Sequence, residues 1–117
     1  FEDVGCTIIN IINREYCKKL IVVLPGQKHP EQYHKIKEET FVVLDGDVEL
    51  TLDGAVKECR RGDVVTVNRG TKHPFASKNG AIIEEISSTH FKDDSYYTDE
   101  AILRNTDRKT VLSYWME

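Results

Sequence analysis

The chain has 117 residues, 39% hydrophobic and 31% charged, with a formal net charge of −4. That length and balance suit one globular domain with a core of its own and exclude a disordered or low-complexity chain. The negative charge argues against nucleic acid or an anionic membrane as partner, and no apolar run approaches the roughly 18 residues of a membrane span. Cys6, Cys17 and Cys59 are odd in number and irregularly spaced, which reads as buried thiols in a reducing, cytoplasmic compartment. The chain starts at Phe1 rather than Met, so a domain cut from a longer protein, or a trimmed chain, is expected.

In chain order, Thr7–Ile12 and Leu20–Leu24 are Ile- and Val-rich and read as strands, the second ended by Pro25-Gly26. Thr40–Leu44 is a third strand, closed by an expected turn at Asp45-Gly46. Val48–Leu52 alternates apolar and polar residues, the period of a half-buried strand. Asp53-Gly54 is a strong hairpin signal that returns the chain through Ala55–Cys59. Gly62-Asp63, Asn68-Arg69-Gly70 and Asn79-Gly80 punctuate strands at Val64–Val67 and Ala81–Ser87. A short helix through Glu100–Leu103, capped by Thr98 or Asp99, and a last apolar segment at Val111–Trp115 complete the pattern. Close turns between short strands predict an all-β antiparallel sandwich or barrel, a single domain over residues 1–117, with no linker or repeat.

Gln32, His34, Glu39 and His73 are the residues with metal-ligand chemistry. Gln32 and His34 share a face in an extended strand, so they can reach one point. Glu39 would face the other way in an unbroken strand, so the chain must turn or bulge across Lys35–Glu38. His73 arrives from another strand. Two imidazoles, a carboxylate and an amide oxygen suit one divalent ion, with Zn, Mn, Ni, Co or Fe as candidates. The other two histidines, His29 beside Pro30 and His90 in the polar THFKDD stretch, read as loop surface.

These segments resemble the two motifs of the cupin family. The first runs glycine, five residues, HxH, three or four residues, glutamate, six residues, glycine; Gly26, His34, Glu39 and Gly46 fall in that register, and Gln32 stands where the first histidine would be. The second runs glycine, five residues, PxG, two residues, histidine, three residues, asparagine; Gly62, Gly70 and His73 match, while Asn68 replaces the proline and Ser77 the asparagine. The resemblance implies a double-stranded β-helix, or jelly-roll barrel, with one divalent metal in its mouth. A neutral amide at Gln32 implies weaker affinity for that metal.

His34–Glu39 also reads HxxKxE, and Glu85-Ile86-Ser87 reads ExS. Both are similar to segments of cupin-type sugar isomerases that act on lyxose and related aldoses. That resemblance implies Lys37 and Glu85 as the residues that move protons beside the metal, through an enediolate. From the residues alone, Lys37 fits equally a solvated cluster with Lys35, Glu38 and Glu39. Strand parity puts Glu84 and Glu85 on opposite faces without saying which is inward. Tyr33, Phe41, Phe75, Tyr96, Tyr97 and Trp115 are candidates for core or for a sugar-stacking wall, and Thr71 and Lys72 for the pocket rim.

The expectation is a metal-dependent isomerase or epimerase acting on a small sugar or sugar derivative. The tail also resembles the cupin module fused to some sialic (nonulosonic) acid synthases. A non-catalytic, sugar-binding regulatory module is therefore the alternative. A metal-dependent dioxygenase ranks third, because iron would want a stronger ligand than Gln32. By analogy with cupins that exchange strands, a homodimer through the TIINII strand is expected.

Overall fold

The computed structural model describes residues 4–98 and the backbone of residues 109–113. The expected C-terminal helix and Trp115 lie outside the described residues. Within them the chain is all β, and no helix is long and apolar enough to cross a membrane.

The strands are β1 (Cys6–Asn13), β2 (Tyr16–Val23), β3 (Lys28–His29), β4 (Gln32–Tyr33), β5 (Glu39–Leu52), β6 (Ala55–Arg60), β7 (Val64–Val67), β8 (Phe75–Ala76), β9 (Ala81–Ser88), β10 (Tyr96–Tyr97) and β11 (Lys109–Ser113). One layer runs β11-β1-β2-β9-β5, with β7 also on β5, and the second half of β5 continues into a layer with β6, β8 and β3. The 14-residue β5 therefore belongs to both layers.

This corrects the expected turn at Asp45-Gly46. The chain does not reverse there; the β5–β9 register shifts at a bulge between Val43 and Asp45, and the strand continues. Gly46 has φ 80° and packs against the neighbouring backbone so tightly that a Cβ would sit 2.1 Å from the Gly80 carbonyl oxygen. Glycine is needed at this crossing for close approach. At Asp53-Gly54 the sequence reads correctly: both residues have positive φ, 46° and 87°, as a two-residue type I′ hairpin requires.

The edge of the first layer departs from the all-antiparallel expectation, because β11 pairs parallel with β1. Both edges of the TIINII strand are thus filled within the chain, by β2 and β11, and strand exchange through it would have to displace β11.

The inward faces of β2, β5 and β9 change character along their length. β2 presents Cys17 and Lys19, then Ile21 and Val23; β5 presents Glu39, then Phe41 and Val43; β9 presents Ser87 and Glu85, then Ile83 and Ala81. Registers Lys19↔Glu85, Phe41↔Glu85 and Glu39↔Ser87 align these switches into one row. The apolar half joins Val48, Leu50, Cys59, Val65, Val67 and Phe75 in the core. The polar half is as deeply buried, and charges survive there only with partners. All three cysteines are buried, as expected.

Candidate metal and proton-transfer site

Four segments meet at the polar end. Glu39 starts β5, His73 comes from the loop before β8, Glu85 from β9, and His34 and Lys37 from the non-strand segment after β4. The bend across Lys35–Glu38 is the required break between His34 and Glu39. It throws Ile36 outward, 54% exposed, while His34 and Lys37 turn in.

His34, Glu39 and His73 offer one ligand atom each, all within 4.8 Å of one another and all buried. Glu39 Oε1 lies 2.8 Å from His73 Nε2 and 3.2 Å from His34 Nε2. The far sides of the rings decide what these contacts mean. His34 Nδ1 is 2.9 Å from the Asp94 carbonyl oxygen, and His73 Nδ1 is 2.9 Å from the Thr71 carbonyl oxygen. A carbonyl only accepts, so each Nδ1 carries a hydrogen and each Nε2 is left to face the carboxylate, as a lone pair where the ring is neutral and as a donor where it is protonated.

Three lone-pair atoms at such distances need a cation among them, either protons or a metal ion. Among the described residues, Glu39 Oε1 and His73 Nε2 have no hydrogen-bond partner of acceptable geometry despite their 2.8 Å separation. Bonds of about 2.1 Å at right angles would put neighbouring ligand atoms about 3.0 Å apart, so the two Glu39–imidazole distances fit a first-row divalent ion. Gln32 stands beside them: its carbonyl accepts the His73 backbone N–H at 3.0 Å, and its buried carboxamide Oε1 has no partner among the described residues.

The second carboxylate oxygen of Glu39 faces Lys37. Lys37 Nζ is 3.0 Å from Glu85 Oε2, 3.5 Å from Glu39 Oε2 and 3.4 Å from His90 Nδ1. Lys37, Glu39 and Glu85 are each at most 5% exposed. Burial lowers the Lys37 pKa, but Glu85 and Glu39 outweigh it and the net shift is upward. Burial raises the Glu39 carboxyl, yet His34, His73 and Lys37 hold it well below the usual carboxylate range. Burial also lowers His73, and Glu39 and the Thr71 carbonyl more than reverse it. Glu85 moves up, through burial and then the Glu39 charge, against the pull of Lys37 and Lys19.

The inward glutamate is therefore Glu85, while Glu84 points out and pairs with Lys18 at 3.0 Å. Lys37 is no solvated charge. Two readings as loop surface fail. His29 is 4% exposed and stacks on Phe75 at 4.7 Å, because β3 pairs with β8 and carries it inward. His90 is half-buried against Lys37, held by reciprocal bonds with the Asn13 carboxamide at 2.8 and 2.9 Å. Of the aromatic candidates, Phe41 and Phe75 are core, while Tyr33 and Tyr96 are half-buried and stack at 5.2 Å. At the expected rim, Thr71 sets the His73 tautomer and Lys72 is exposed.

Sequence reasoning missed Lys19 and Asp94. Lys19 had a signal, since it shares the parity of Ile21 and Val23 in β2. Asp94 had none: its partners are 57 to 60 residues away.

A family model for the cupin domain matches residues 19–82. This chain belongs to the cupin family. Within it, a D-lyxose/D-mannose isomerase of Thermosediminibacter oceani is 30% identical over 132 aligned positions, covering 88% of this chain and 73% of the relative. Among solved structures, the cupin superposes on an L-ribose isomerase of Cellulomonas parahominis with TM-score 0.73 and 16% identity, over 82% of this chain and 63% of that one. It superposes on the DMSP lyase DddQ of Ruegeria pomeroyi with TM-score 0.72 and 16% identity, over 80% of this chain and 52% of that one. At such identity these two likenesses establish the fold alone, and the chain spans less than two thirds of either structure.

Proposed function

We propose that this cupin is a metal-dependent isomerase or epimerase acting on an aldose or a related sugar derivative. The observation that carries the reading is Glu39 shared between two groups: Oε1 faces the imidazoles of His34 and His73, and Oε2 faces the Lys37–Glu85 pair. His34, Glu39 and His73 would hold one divalent ion, with the Gln32 carboxamide oxygen as a weak fourth ligand. Such an ion supplies Lewis-acid polarisation of substrate carbonyl and hydroxyl oxygens, which steadies an enediolate.

The chain supplies the proton handling. Isomerisation at a carbonyl needs a base at the neighbouring carbon and a donor at the oxygen. Glu85 is a buried carboxylate with its pKa raised, which suits a base working near neutrality. Lys37 keeps its proton in the free site, so it can donate to the oxygen on which charge develops. Their 3.0 Å pair holds both side chains in place before substrate enters. The isomerase relative, at 30% identity, supports the sugar as substrate class. The alternative, a non-catalytic module of a nonulosonic acid synthase, draws no support from the relatives described above. The odd number of buried cysteines fits a cytoplasmic enzyme.

Deuterium exchange tests this. Metal-loaded protein incubated in D₂O with D-lyxose, D-mannose and a wider aldose panel should incorporate deuterium at C2. Glu85→Gln should slow exchange by about 10²–10⁴-fold while keeping metal. A panel without exchange would sink the catalytic reading.

A further inference from the structure

Asp94 lies in the segment between β9 and β10, is 2% exposed, and touches the functional loop at every residue from 34 to 37. Its Oδ1 accepts the Lys35 backbone N–H at 3.0 Å and that of Ile36 at 3.1 Å. Its Oδ2 accepts the Ile36 N–H at 3.2 Å and that of Lys37 at 2.9 Å. Its own backbone carbonyl accepts the His34 Nδ1–H at 2.9 Å.

Three successive amides turned toward one point form an anion-binding concavity, and here a side chain of the same molecule fills it. The loop has strong reasons not to hold its shape unaided. Residues 35–37 belong to no strand, Lys35 and Lys37 carry charge, and Ile36 is exposed. Buried or half-buried N–H groups without an acceptor would be costly, and among the described residues the Asp94 carboxylate is the acceptor for all three. The turn it fixes sends Ile36 out and Lys37 in. The carbonyl, one residue's backbone away, fixes which nitrogen of His34 faces Glu39.

We propose that Asp94 is the positioning residue of this site, holding the His34 ring with Nε2 inward and the 35–37 turn that delivers Lys37 to Glu39 and Glu85. The inference rests on the metal reading above and deepens it. Groups that hold the outer nitrogen of a metal-binding imidazole fix its tautomer and direction, and their loss lowers metal affinity by about 10–100-fold. A purely structural role at a turn would lower stability and leave affinity alone. Asp94 differs in this from its neighbour Thr98, whose hydroxyl donates to Glu31 Oε1 at 3.0 Å and reaches no residue of the ligand set.

The test is a Co²⁺ titration, read by calorimetry and by visible absorption, on the wild type, Asp94→Asn, Asp94→Ala and Thr98→Ala. Imidazole ¹⁵N spectra of the metal-free proteins report the His34 tautomer. Asp94→Ala removes the carboxylate that holds the 35–37 turn but leaves the main-chain carbonyl, so it should weaken Co²⁺ by about 10–100-fold while His34 stays in the Nδ1–H form. Asp94→Asn keeps the volume but turns an amide N–H₂ toward backbone donors, so it should weaken binding by less while remaining folded. Thr98→Ala should bind within about twofold of the wild type. Folded Asp94 variants with wild-type affinity would overturn the inference alone, as would a Thr98→Ala loss equal to that of Asp94→Ala. A wild type that binds no Co²⁺ would overturn both the metal reading and this one. The wild-type spectrum stands even where a variant fails to fold: an Nε2–H tautomer at His34 in the metal-free protein would also refute it.

Discussion

Replacing Lys37 with methionine keeps most of the side-chain volume and removes an ammonium that lies between two buried carboxylates. At an effective dielectric constant of about 20, unit charges 3.0 Å apart attract by about 5 kcal/mol, and the Glu39 contact at 3.5 Å is nearly as strong. Desolvating the ammonium offsets part of this, so the net loss expected on breaking such a buried pair is about 3–5 kcal/mol. That is a large share of the roughly 5–15 kcal/mol that holds a domain folded. Urea unfolding of metal-free protein near neutral pH measures it. Lys37→Met should lose about 3 kcal/mol or more, and the loss should shrink as the pH falls and Glu85, already shifted up, takes a proton. Adding Glu85→Gln should restore about 1–3 kcal/mol, since it removes the charge left stranded. A Lys37→Met loss under about 1 kcal/mol, or strict additivity in the double variant, would refute the buried-cluster account.

Gly46→Ala should cost at least about 2 kcal/mol in the same assay, because its Cβ would overlap the Gly80 carbonyl at 2.1 Å. Gly54→Ala, with nothing within 4 Å, should cost only about 1 kcal/mol of backbone strain; equal losses would contradict the bulge account. Metal affinity should fall with pH in a defined direction. The His73 pKa is raised above its usual 6.5 in the metal-free fold, so protons begin to compete with metal above that pH. The Co²⁺ dissociation constant should rise by about tenfold per pH unit once His73 is protonated, and a constant that stays flat through this range would sink the ligand assignment.

The sequence carried the ligand spacing, because His34, Lys37 and Glu39 are near one another in the chain and a single bend turns all three inward. It carried the Asp53-Gly54 hairpin, whose geometry is local. It misled at Asp45-Gly46, where a dipeptide that usually turns instead makes a bulge, and only the Gly80 backbone across the sheet decides between them. His29 and His90 read as surface because their polar neighbours are local, while the groups that bury them, Phe75 and Lys37, are not. The choice between Glu84 and Glu85 needed the sheet's packing, since parity separates two faces without naming them. Asp94 was beyond reach for the same reason: a carboxylate gathering amides from the other end of the domain leaves no mark in its own segment.

The central claim is that His34, Glu39 and His73 surround a metal ion rather than shared protons. Elemental analysis of protein purified without chelator tests it most directly, read beside His34→Ala. The account predicts about one divalent transition-metal ion per chain in the wild type and close to none in the variant. A metal-free wild type that takes up no added ion, or a His34→Ala protein that keeps its metal, would contradict it.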